Sequence, residues 1–163
     1  MEDVTDPQWL DAEELRAWQA FLAAGALVGR RVEQQLKDQA GLSHLQYEVL
    51  VRLSGAPNGE VRMNELADSL FTSKSGLTYQ IGQLEQAGLV RRRPCDQSVR
   101  GVLACLTEAG RGKLAEVAPG HVAAVRSALV DQLDRRELVL VADALERVAD
   151  ANSDTPDWRP PRP

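Results

Sequence analysis

Residues 63–107 of this 163-residue chain read MNELADSLFTSKSGLTYQIGQLEQAGLVRRRPCDQSVRGVLACLT. Apolar residues in the first part recur at helical spacing, which predicts a short helix over 63–70 and a second over 73–87, joined by a tight turn. The period then changes to two runs of β-forming residues, 89–93 and 102–107, separated by a polar link, which is typical of a hairpin. Two short helices followed directly by a hairpin predict a winged helix-turn-helix.

The exposed face of the second predicted helix carries polar side chains suited to base edges. In a helix-turn-helix this helix lies in the major groove of DNA, so the candidate base-reading residues are Lys74, Ser75, Thr78 and Tyr79. Packing against the core is the alternative for Tyr79. The free N–H groups at the start of this helix and the arginines of the first strand can reach phosphates, which makes the candidate phosphate-holding residues Thr72, Ser73, Arg91 and Arg92. A merely solvated surface is the alternative for each arginine.

The hairpin tip carries Arg100, whose side chain is long enough to enter the adjacent minor groove, where narrow A·T tracts concentrate negative potential. The charge distribution favours the same face. The chain has a formal net charge of −5, but residues 62–113 hold eight basic and five acidic side chains, a local net charge of +3. A basic centre between acidic arms suits one lobe that faces DNA and another that is turned away from it.

Long amphipathic helices are predicted on either side of this centre. Asp11 and Glu14 have the spacing of a capping box, so the first long helix begins there, and Gly41 is placed to end it. Helical periodicity returns after residue 108, where Pro119 is expected to kink or split the helix. A last helix is expected to start near Asp134.

The apolar stripes on these flanking helices exceed what a lobe of about 70 residues can bury, and exposed apolar surface of that size marks an interface. We therefore expect a homodimer held by a helical bundle with a core of Leu15, Leu22, Leu129, Leu133, Leu138 and Leu145. Two-fold symmetry then sets the two recognition helices about 34 Å apart, which matches a pseudo-palindromic operator in double-stranded DNA. The alternative is a monomer with an all-helical cap.

The predicted fold class is mainly α with a small β-hairpin wing, in which a winged helix-turn-helix lobe is joined by N- and C-terminal helices that form a dimerisation bundle. Residues 1–10 are predicted to be a disordered N-terminus, and 151–163 a disordered proline-rich tail. The helical dimerisation region comprises 11–41 and 108–150. The DNA-binding lobe is 42–107.

Several function classes are disfavoured by the sequence. It has no apolar run near the roughly 20 residues of a membrane span and no secretory h-region, so we expect a cytoplasmic protein without a membrane partner. Neither a Gly-rich phosphate loop nor a nucleophile elbow nor metal-ligand spacing is found, so we expect no enzyme, no cofactor and no metal. Two cysteines make no disulfide framework.

The segment from Leu42 to Leu114 resembles the MarR family of multiple-antibiotic-resistance regulators through the strings LSHLQYEVLVRLS, MNELADSL, SKSGLTYQIGQLEQAGLVRR and RGVLACLTEAGR. The pairing of LEQAGLVRR with LTEAGR is specific to that family, and the similarity extends over residues 11–150. The resemblance implies a dimer with intertwined terminal helices, two wings that grip a palindromic site, and a repressor that a small-molecule effector releases from DNA.

The resemblance also implies an effector pocket between the dimer helices and the DNA lobe, for which the candidate lining residues are Trp18, Phe21, His44 and Tyr47. A role in the core is the alternative for each of these rings. His121 is expected at the surface or in an interface. The wing departs from the family pattern, because Ser98 stands where an acidic residue usually steadies the wing arginine. Arg100 itself is retained, and Asp96 is a candidate substitute.

Two alternative functions remain open at this point. The first is a redox-sensing regulator that uses Cys95 or Cys105, although the hairpin register makes a disulfide within one chain geometrically poor. Sensing cysteines in relatives typically lie in the first helix, where this chain has none. The second is a winged-helix module that binds protein and not DNA.

Overall fold

The computed structural model describes residues 7–95 and 101–153. Over those residues the chain forms six α-helices and one three-stranded antiparallel sheet, with one-turn 3-10 helices at Pro57–Gly59 and Val130–Gln132. In chain order the elements are α1 Ala12–Ala40, α2 His44–Gly55, β1 Glu60–Arg62, α3 Met63–Ser69, α4 Lys74–Gln86, β2 Val90–Pro94, β3 Val102–Leu106, α5 Glu108–Ala128 and α6 Arg135–Asn152. The predicted mainly α fold with a small β-hairpin wing is confirmed.

The ends of α1 are set by its own sequence, as predicted. The Asp11 carboxylate accepts hydrogen bonds from the backbone N–H groups of Glu13 and Glu14, and the Glu14 carboxylate accepts one from the Asp11 N–H at 2.9 Å. These bonds satisfy donors that a helix start otherwise leaves unpaired. Gly41 ends the helix in the left-handed region, with φ 66°. Asp134 and Glu137 form an equivalent capping box at the start of α6.

The sheet has the strand order β1-β3-β2, so β3 is the central strand. Arg91 on β2 and Glu60 on β1 both lie opposite Cys105 of β3. Gly88, with φ 73°, turns the chain from α4 into β2. The hairpin is therefore joined to the recognition helix by a turn of few residues, which fixes the direction in which the wing leaves the lobe.

The lobe has one hydrophobic core that holds α4 against α2, α3 and the sheet. Its fully buried large side chains are Val49, Leu50, Leu53, Leu66, Leu77, Ile81, Leu84 and Val90. A second cluster joins α1, α2 and α5 through Val32, Leu36, Tyr47 and Val117. The two clusters share Leu114 and Ala40 at their edges. The lobe is thus continuous with the junction of α1 and α5.

The prediction that Pro119 splits the helix is wrong, because α5 is continuous from Glu108 to Ala128. A proline in a helix interior loses one hydrogen bond and usually kinks or breaks the helix. Here α5 is held along its length by α1 and α2: Val117 is buried, and Gly120 lies close to the side chain of Gln39. This tertiary packing outweighs the local preference of the proline.

The apolar surfaces of α1 and α6 lie largely open in the single chain. No residue of α6 is buried, and the N-terminal half of α1 has buried none of its large apolar side chains. The exposed apolar residues include Leu15, Trp18, Phe21, Leu22, Val139, Leu140, Val141, Leu145 and Val148. None of the described helices is both long and apolar enough to cross a membrane.

Candidate nucleic-acid interface

The turn between α3 and α4 positions the start of the recognition helix. The Thr72 N–H donates to the carbonyl of Ala67 at 3.1 Å, and Phe71 adopts φ 50°, an unusual conformation for a non-glycine residue. Ser73 then caps α4, since its hydroxyl oxygen accepts the N–H of Gly76 at 3.0 Å. A Cβ at position 76 would meet the Ser73 hydroxyl at 3.0 Å, so the glycine lets the cap lie close to the helix.

The face of α4 opposite the core presents the four predicted base-reading side chains. Lys74, Ser75, Thr78 and Tyr79 are all exposed, while Leu77, Ile81 and Leu84 are buried. Tyr79 is 64% exposed, so the alternative in which it packs into the core of the chain is wrong. The Thr78 hydroxyl donates to the Lys74 carbonyl at 2.8 Å. Its proton is therefore in use, which leaves the oxygen lone pairs and the methyl group for a partner.

Arg92, one of the predicted phosphate-holding residues, is bound within the lobe. Its Nε and Nη2 donate to one carboxylate oxygen of Glu85 at 2.9 and 2.7 Å, and its backbone N–H donates to the other at 2.8 Å. These hydrogen bonds hold the pKa of Glu85 below its usual range. The contact ties β2 to the C-terminal part of α4. Arg92 therefore fixes the angle between recognition helix and wing, and sequence spacing alone gave no signal of this pairing.

The other two arginines of β2, Arg91 and Arg93, differ in their surroundings. Arg93 donates from Nε and Nη2 to the two carboxylate oxygens of Glu60 at 3.0 and 2.6 Å, which joins the outer strands across β3. These bonds lower the pKa of the Glu60 carboxyl. Arg91 is exposed and lies opposite Cys105 of β3, near the start of the hairpin. Of the three arginines, Arg91 has the surroundings that best suit a phosphate contact.

A groove of about 500 Å³ runs between α3, the middle of α4 and the hairpin, and it is lined by Arg62, Met63, Asn64, Glu65, Thr78, Arg92, Gly101 and Val102. It brings the recognition helix and the base of the wing to one side of the lobe. The wing tip, with Asp96, Ser98 and Arg100, falls outside the described residues. The predicted role of Arg100 therefore stays a prediction.

The four predicted pocket residues fall into two groups in the single chain. Trp18 and Phe21 stack on each other on α1, with ring centroids 6.2 Å apart, and both are about half exposed. Tyr47 packs on Leu36 at the other end of α1, and a helix rise of 1.5 Å per residue places Leu36 roughly 27 Å from Trp18 along the axis.

His44 and Tyr47 form the second group together with His121, which the sequence placed at the surface or in an interface. The rings of Tyr47 and His121 lie 4.2 Å apart, and those of His44 and His121 lie 5.9 Å apart. His121 is only partly exposed, and its burial together with the nearby His44 lowers its pKa. The ring of His121 thus bridges α2 and α5, 74 residues after that of Tyr47, which is why local spacing gave no sign of the cluster.

The burial of both cysteines disfavours the alternative of a redox sensor. Cys95 and Cys105 are both buried, and burial together with a hydrogen bond to Glu60 raises the pKa of the Cys105 thiol. Cys105 lies opposite Arg91, whereas the Cys95 N–H donates to Gly101 at 2.8 Å. Four residues of strand separate the two positions, about 14 Å, which is too far for a disulfide within one chain.

The Glu85–Arg92 contact should contribute measurably to stability. Replacement of Glu85 by Gln is expected to lower the free energy of unfolding by about 1 kcal/mol at pH 7, since both side chains are partly exposed and screened. Because the folded-state pKa of Glu85 is lowered, its contribution is present above the usual value of 4.5 and is lost as pH falls through the folded pKa. Urea unfolding at pH 7 and at acidic pH, at one fixed protein concentration, measures both effects.

The matched control for that experiment is Glu116→Gln. Glu116 pairs with Lys113 at 3.2 Å, but its side chain is 65% exposed, so its loss is expected to change the free energy of unfolding by only a few tenths of a kcal/mol. Equal losses for the two variants at pH 7 would show that the contact between α4 and β2 has no special contribution.

The fold and the sequence are both similar to those of known transcriptional regulators. The model of the MarR family matches residues 40–101. The structure of Sco3205, a MarR family transcriptional regulator from Streptomyces coelicolor solved in complex with DNA, is 35% identical with a TM-score of 0.88, and the match covers 94% of this chain and 97% of that one.

Two further relatives agree with this assignment. AbsC, a MarR family transcriptional regulator from Streptomyces coelicolor, is 38% identical with a TM-score of 0.84, over 89% of this chain and 97% of that one. The HTH-type transcriptional regulator MhqR of Bacillus subtilis (strain 168) is 27% identical over 108 residues, which are 66% of this chain and 72% of that protein. Because Sco3205 and AbsC are 35% and 38% identical over most of both chains and share the winged helix-turn-helix, this chain belongs to the MarR family of transcriptional regulators.

Proposed function

We propose that this regulator binds a pseudo-palindromic operator in double-stranded DNA as a homodimer and acts as a repressor in the cytoplasm, with no catalytic step of its own. The observation that carries the proposal is the exposed polar face of α4, held at a fixed angle to the wing by the Glu85–Arg92 contact. The relative Sco3205, 35% identical to this chain, was solved in complex with DNA. That match supports the same use of the lobe here.

In the proposed complex α4 lies in the major groove. Lys74, Ser75, Thr78 and Tyr79 contact base edges, because short polar side chains and one cation on an exposed helix face can pair with donors and acceptors there. Thr72, Ser73 and Arg91 contact phosphates at the helix start and at the base of the wing. Arg92 contributes by holding the wing, and Arg100 enters the minor groove.

The homodimer is proposed from the open apolar faces of α1 and α6. Exposure of apolar side chains such as Leu22 and Leu145 to water is unfavourable in free energy. These side chains are covered when two copies associate about a two-fold axis. The axis would set the two copies of α4 about one turn of DNA apart, near 34 Å. Half-sites at that spacing are the geometric signature of this arrangement. Residues 11–41 and 108–150 are the proposed dimerisation region, and 42–107 the DNA-binding lobe.

A small-molecule effector is proposed to control release from DNA. The junction of α1, α2 and α5 is the candidate location, because it joins the dimer helices to the DNA lobe through Tyr47 and Leu36. A ligand bound there could change the angle between the lobe and the bundle. His44 and Tyr47 are its candidate contacts in one chain, while Trp18 and Phe21 lie on the open face of α1.

The proposal is tested first by selection of fragments of genomic DNA on the purified protein, followed by anisotropy titration of the enriched sequence. We expect a pseudo-palindrome with half-sites about 10 base pairs apart, and an affinity that falls linearly in log K against log salt. Selection that enriches no sequence, or binding equal to that of scrambled DNA, would overturn the proposal and leave a winged-helix module for protein partners as the alternative.

The residue-level test is Arg100→Ala, which is expected to weaken operator binding by about 1–3 kcal/mol at fixed salt. Lys74→Ala should cost a similar amount and also relax sequence preference at one position in each half-site. Lys37→Ala is the matched control, since Lys37 lies on α1 and pairs with Glu33. Unchanged affinity of both lobe variants relative to this control would exclude the proposed docking.

A further inference from the structure

Three metal-ligating side chains meet where α2 crosses α5. His44 and Glu48 lie one helical turn apart on α2, with His44 Nε2 3.7 Å from a carboxylate oxygen of Glu48. His121 reaches the same place from α5, and one potential ligand atom from each of the three side chains lies within 4.8 Å of the others. The three side chains are all partly buried. Each side chain is thus partly accessible to solvent.

Two imidazoles and one carboxylate are a known donor set for zinc with three protein ligands and one open position. Bonds of about 2.0–2.1 Å in a tetrahedral site place ligand atoms roughly 3.4 Å apart. The 3.7 Å separation of His44 and Glu48 is already close to that value. Closure of the remaining gap needs a movement of the order of 1 Å, which a rotation of the Glu48 side chain, 30% exposed, can supply.

The hydrogen bonding around the cluster is an independent sign of a missing partner. Nδ1 of His121 is buried without a hydrogen-bond partner among the described residues. A buried polar atom without a partner costs free energy, and such atoms are uncommon in folded proteins. Within the described part of the chain, no hydrogen bond to Nδ1 fixes which nitrogen of this ring carries its proton, so either one can be the ligand. A bound cation would use the lone pair of the unprotonated nitrogen.

The ligands are also held in place by their surroundings. The backbone N–H of His44 donates to the Glu33 carboxylate at 2.6 Å, which fixes the start of α2 against α1. The ring of Tyr47 packs 4.2 Å from that of His121 and limits its rotation. Contacts that orient the metal-binding side chains also tune the affinity of a site for its metal.

Contrary to the expectation from sequence spacing, we propose that His44, Glu48 and His121 bind one divalent transition-metal ion of the zinc class, with a fourth position left for water or another ligand. The site joins α2 of the DNA-binding lobe to α5. It goes beyond the proposed function, because the ion can bind whether or not the chain recognises an operator. A metal here would replace the weak histidine–carboxylate contact with bonds between α2 and α5, through ligands such as Glu48 and His121 that are 73 residues apart in sequence.

The test is titration of the full chain, without a histidine tag, with Zn²⁺ in competition with a chromophoric chelator of micromolar affinity. Titration with Co²⁺ gives a second readout, because tetrahedral cobalt absorbs visible light strongly. We expect one equivalent per chain, and a loss of at least ~100-fold in affinity for His44→Gln and for His121→Phe, since removal of a ligand costs more than the 10- to 100-fold of a supporting contact. The Phe ring in the second variant keeps the stacking on Tyr47.

Two controls separate ligation from structure. Glu116→Gln changes a carboxylate of α5 that lies outside the cluster, so this variant should bind Zn²⁺ as the parent chain does. Circular dichroism and thermal unfolding of the metal-free variants show whether each is folded. A parent chain that does not compete with the chelator would overturn the proposal. So would folded His44→Gln and His121→Phe variants that retain the parent affinity.

Discussion

Gly110→Ala is expected to lower the free energy of unfolding by about 3 kcal/mol, near the top of the usual range for an overpacked site. A Cβ at this position would collide with the backbone carbonyl oxygen of Leu89 and would meet Cδ1 of Leu106 at 2.7 Å. The backbone at residue 89 cannot simply move away. It follows the turn after α4 and accepts the Thr107 N–H at 3.2 Å.

The same few residues connect α5 to the recognition helix, so the effect should extend to DNA binding. The Thr107 hydroxyl donates to the Gly88 carbonyl at 2.7 Å and accepts the Gly110 N–H at 3.0 Å. A shift of α5 away from Leu89 would break this network and release the end of α4. Urea unfolding at one protein concentration measures the stability loss, and operator titration measures the second consequence.

Gly112→Ala provides the matched control on the same helix. Position 112 is exposed, and an added Cβ there meets nothing within 4 Å. Alanine in a helix interior is favoured over glycine by roughly 0.5–1 kcal/mol, so this variant should be slightly more stable than the parent. A stability gain for both substitutions would show that α5 can move freely against the turn, contrary to the packing of Gly110.

Local signals explain why so much of the fold could be predicted. The bounds of α1 depend on Asp11, Glu14 and Gly41, which act within one turn of the residues they cap. Likewise, Ser73 caps α4 through a bond that spans three residues. The order of α3, α4 and the hairpin follows from changes in hydrophobic period. Each of these features is encoded where it acts, so no knowledge of distant contacts is needed.

The unpredicted features all depend on contacts between different helices and strands. Arg93 meets Glu60 across the sheet, a pairing over 33 residues, and Arg92 meets Glu85 over seven. The continuity of α5 through Pro119 depends on its packing against α1 and α2. A prediction from local propensity treats the proline as a break, because the compensating contacts lie elsewhere in the chain.

The dimer is the part of the proposed mechanism most sensitive to a single substitution, and Leu145→Glu is expected to weaken self-association by at least about 4 kcal/mol. Leu145 is 44% exposed in the single chain and lies on the stripe of α6 with Leu138, Val141 and Val148. Each copy would lose ~2 kcal/mol of apolar burial. Because a two-fold axis places the substitution in the interface twice, that loss also occurs twice. In addition, the introduced carboxylates would be desolvated without partners.

Arg147→Glu is the control, because it introduces the same side chain two residues later, about 200° around the same helix. Arg147 is exposed and lies away from the stripe. Sedimentation equilibrium over a range of concentrations should show Leu145→Glu as a monomer where the parent chain and Arg147→Glu are dimers. Leu145→Ala, which adds no charge and keeps the helix, should fall between them.

Operator binding gives the functional consequence of that change. A monomer offers one α4 to one half-site, so it loses the gain in affinity that two linked recognition helices provide. We therefore expect Leu145→Glu to bind the full operator little better than a single half-site, whereas Arg147→Glu keeps the preference for the palindrome. If Leu145→Glu, shown to be folded by circular dichroism, remains a dimer at the parent's concentrations, the face of α6 is not the interface. The open apolar surface on α1 would then be the place to look for it.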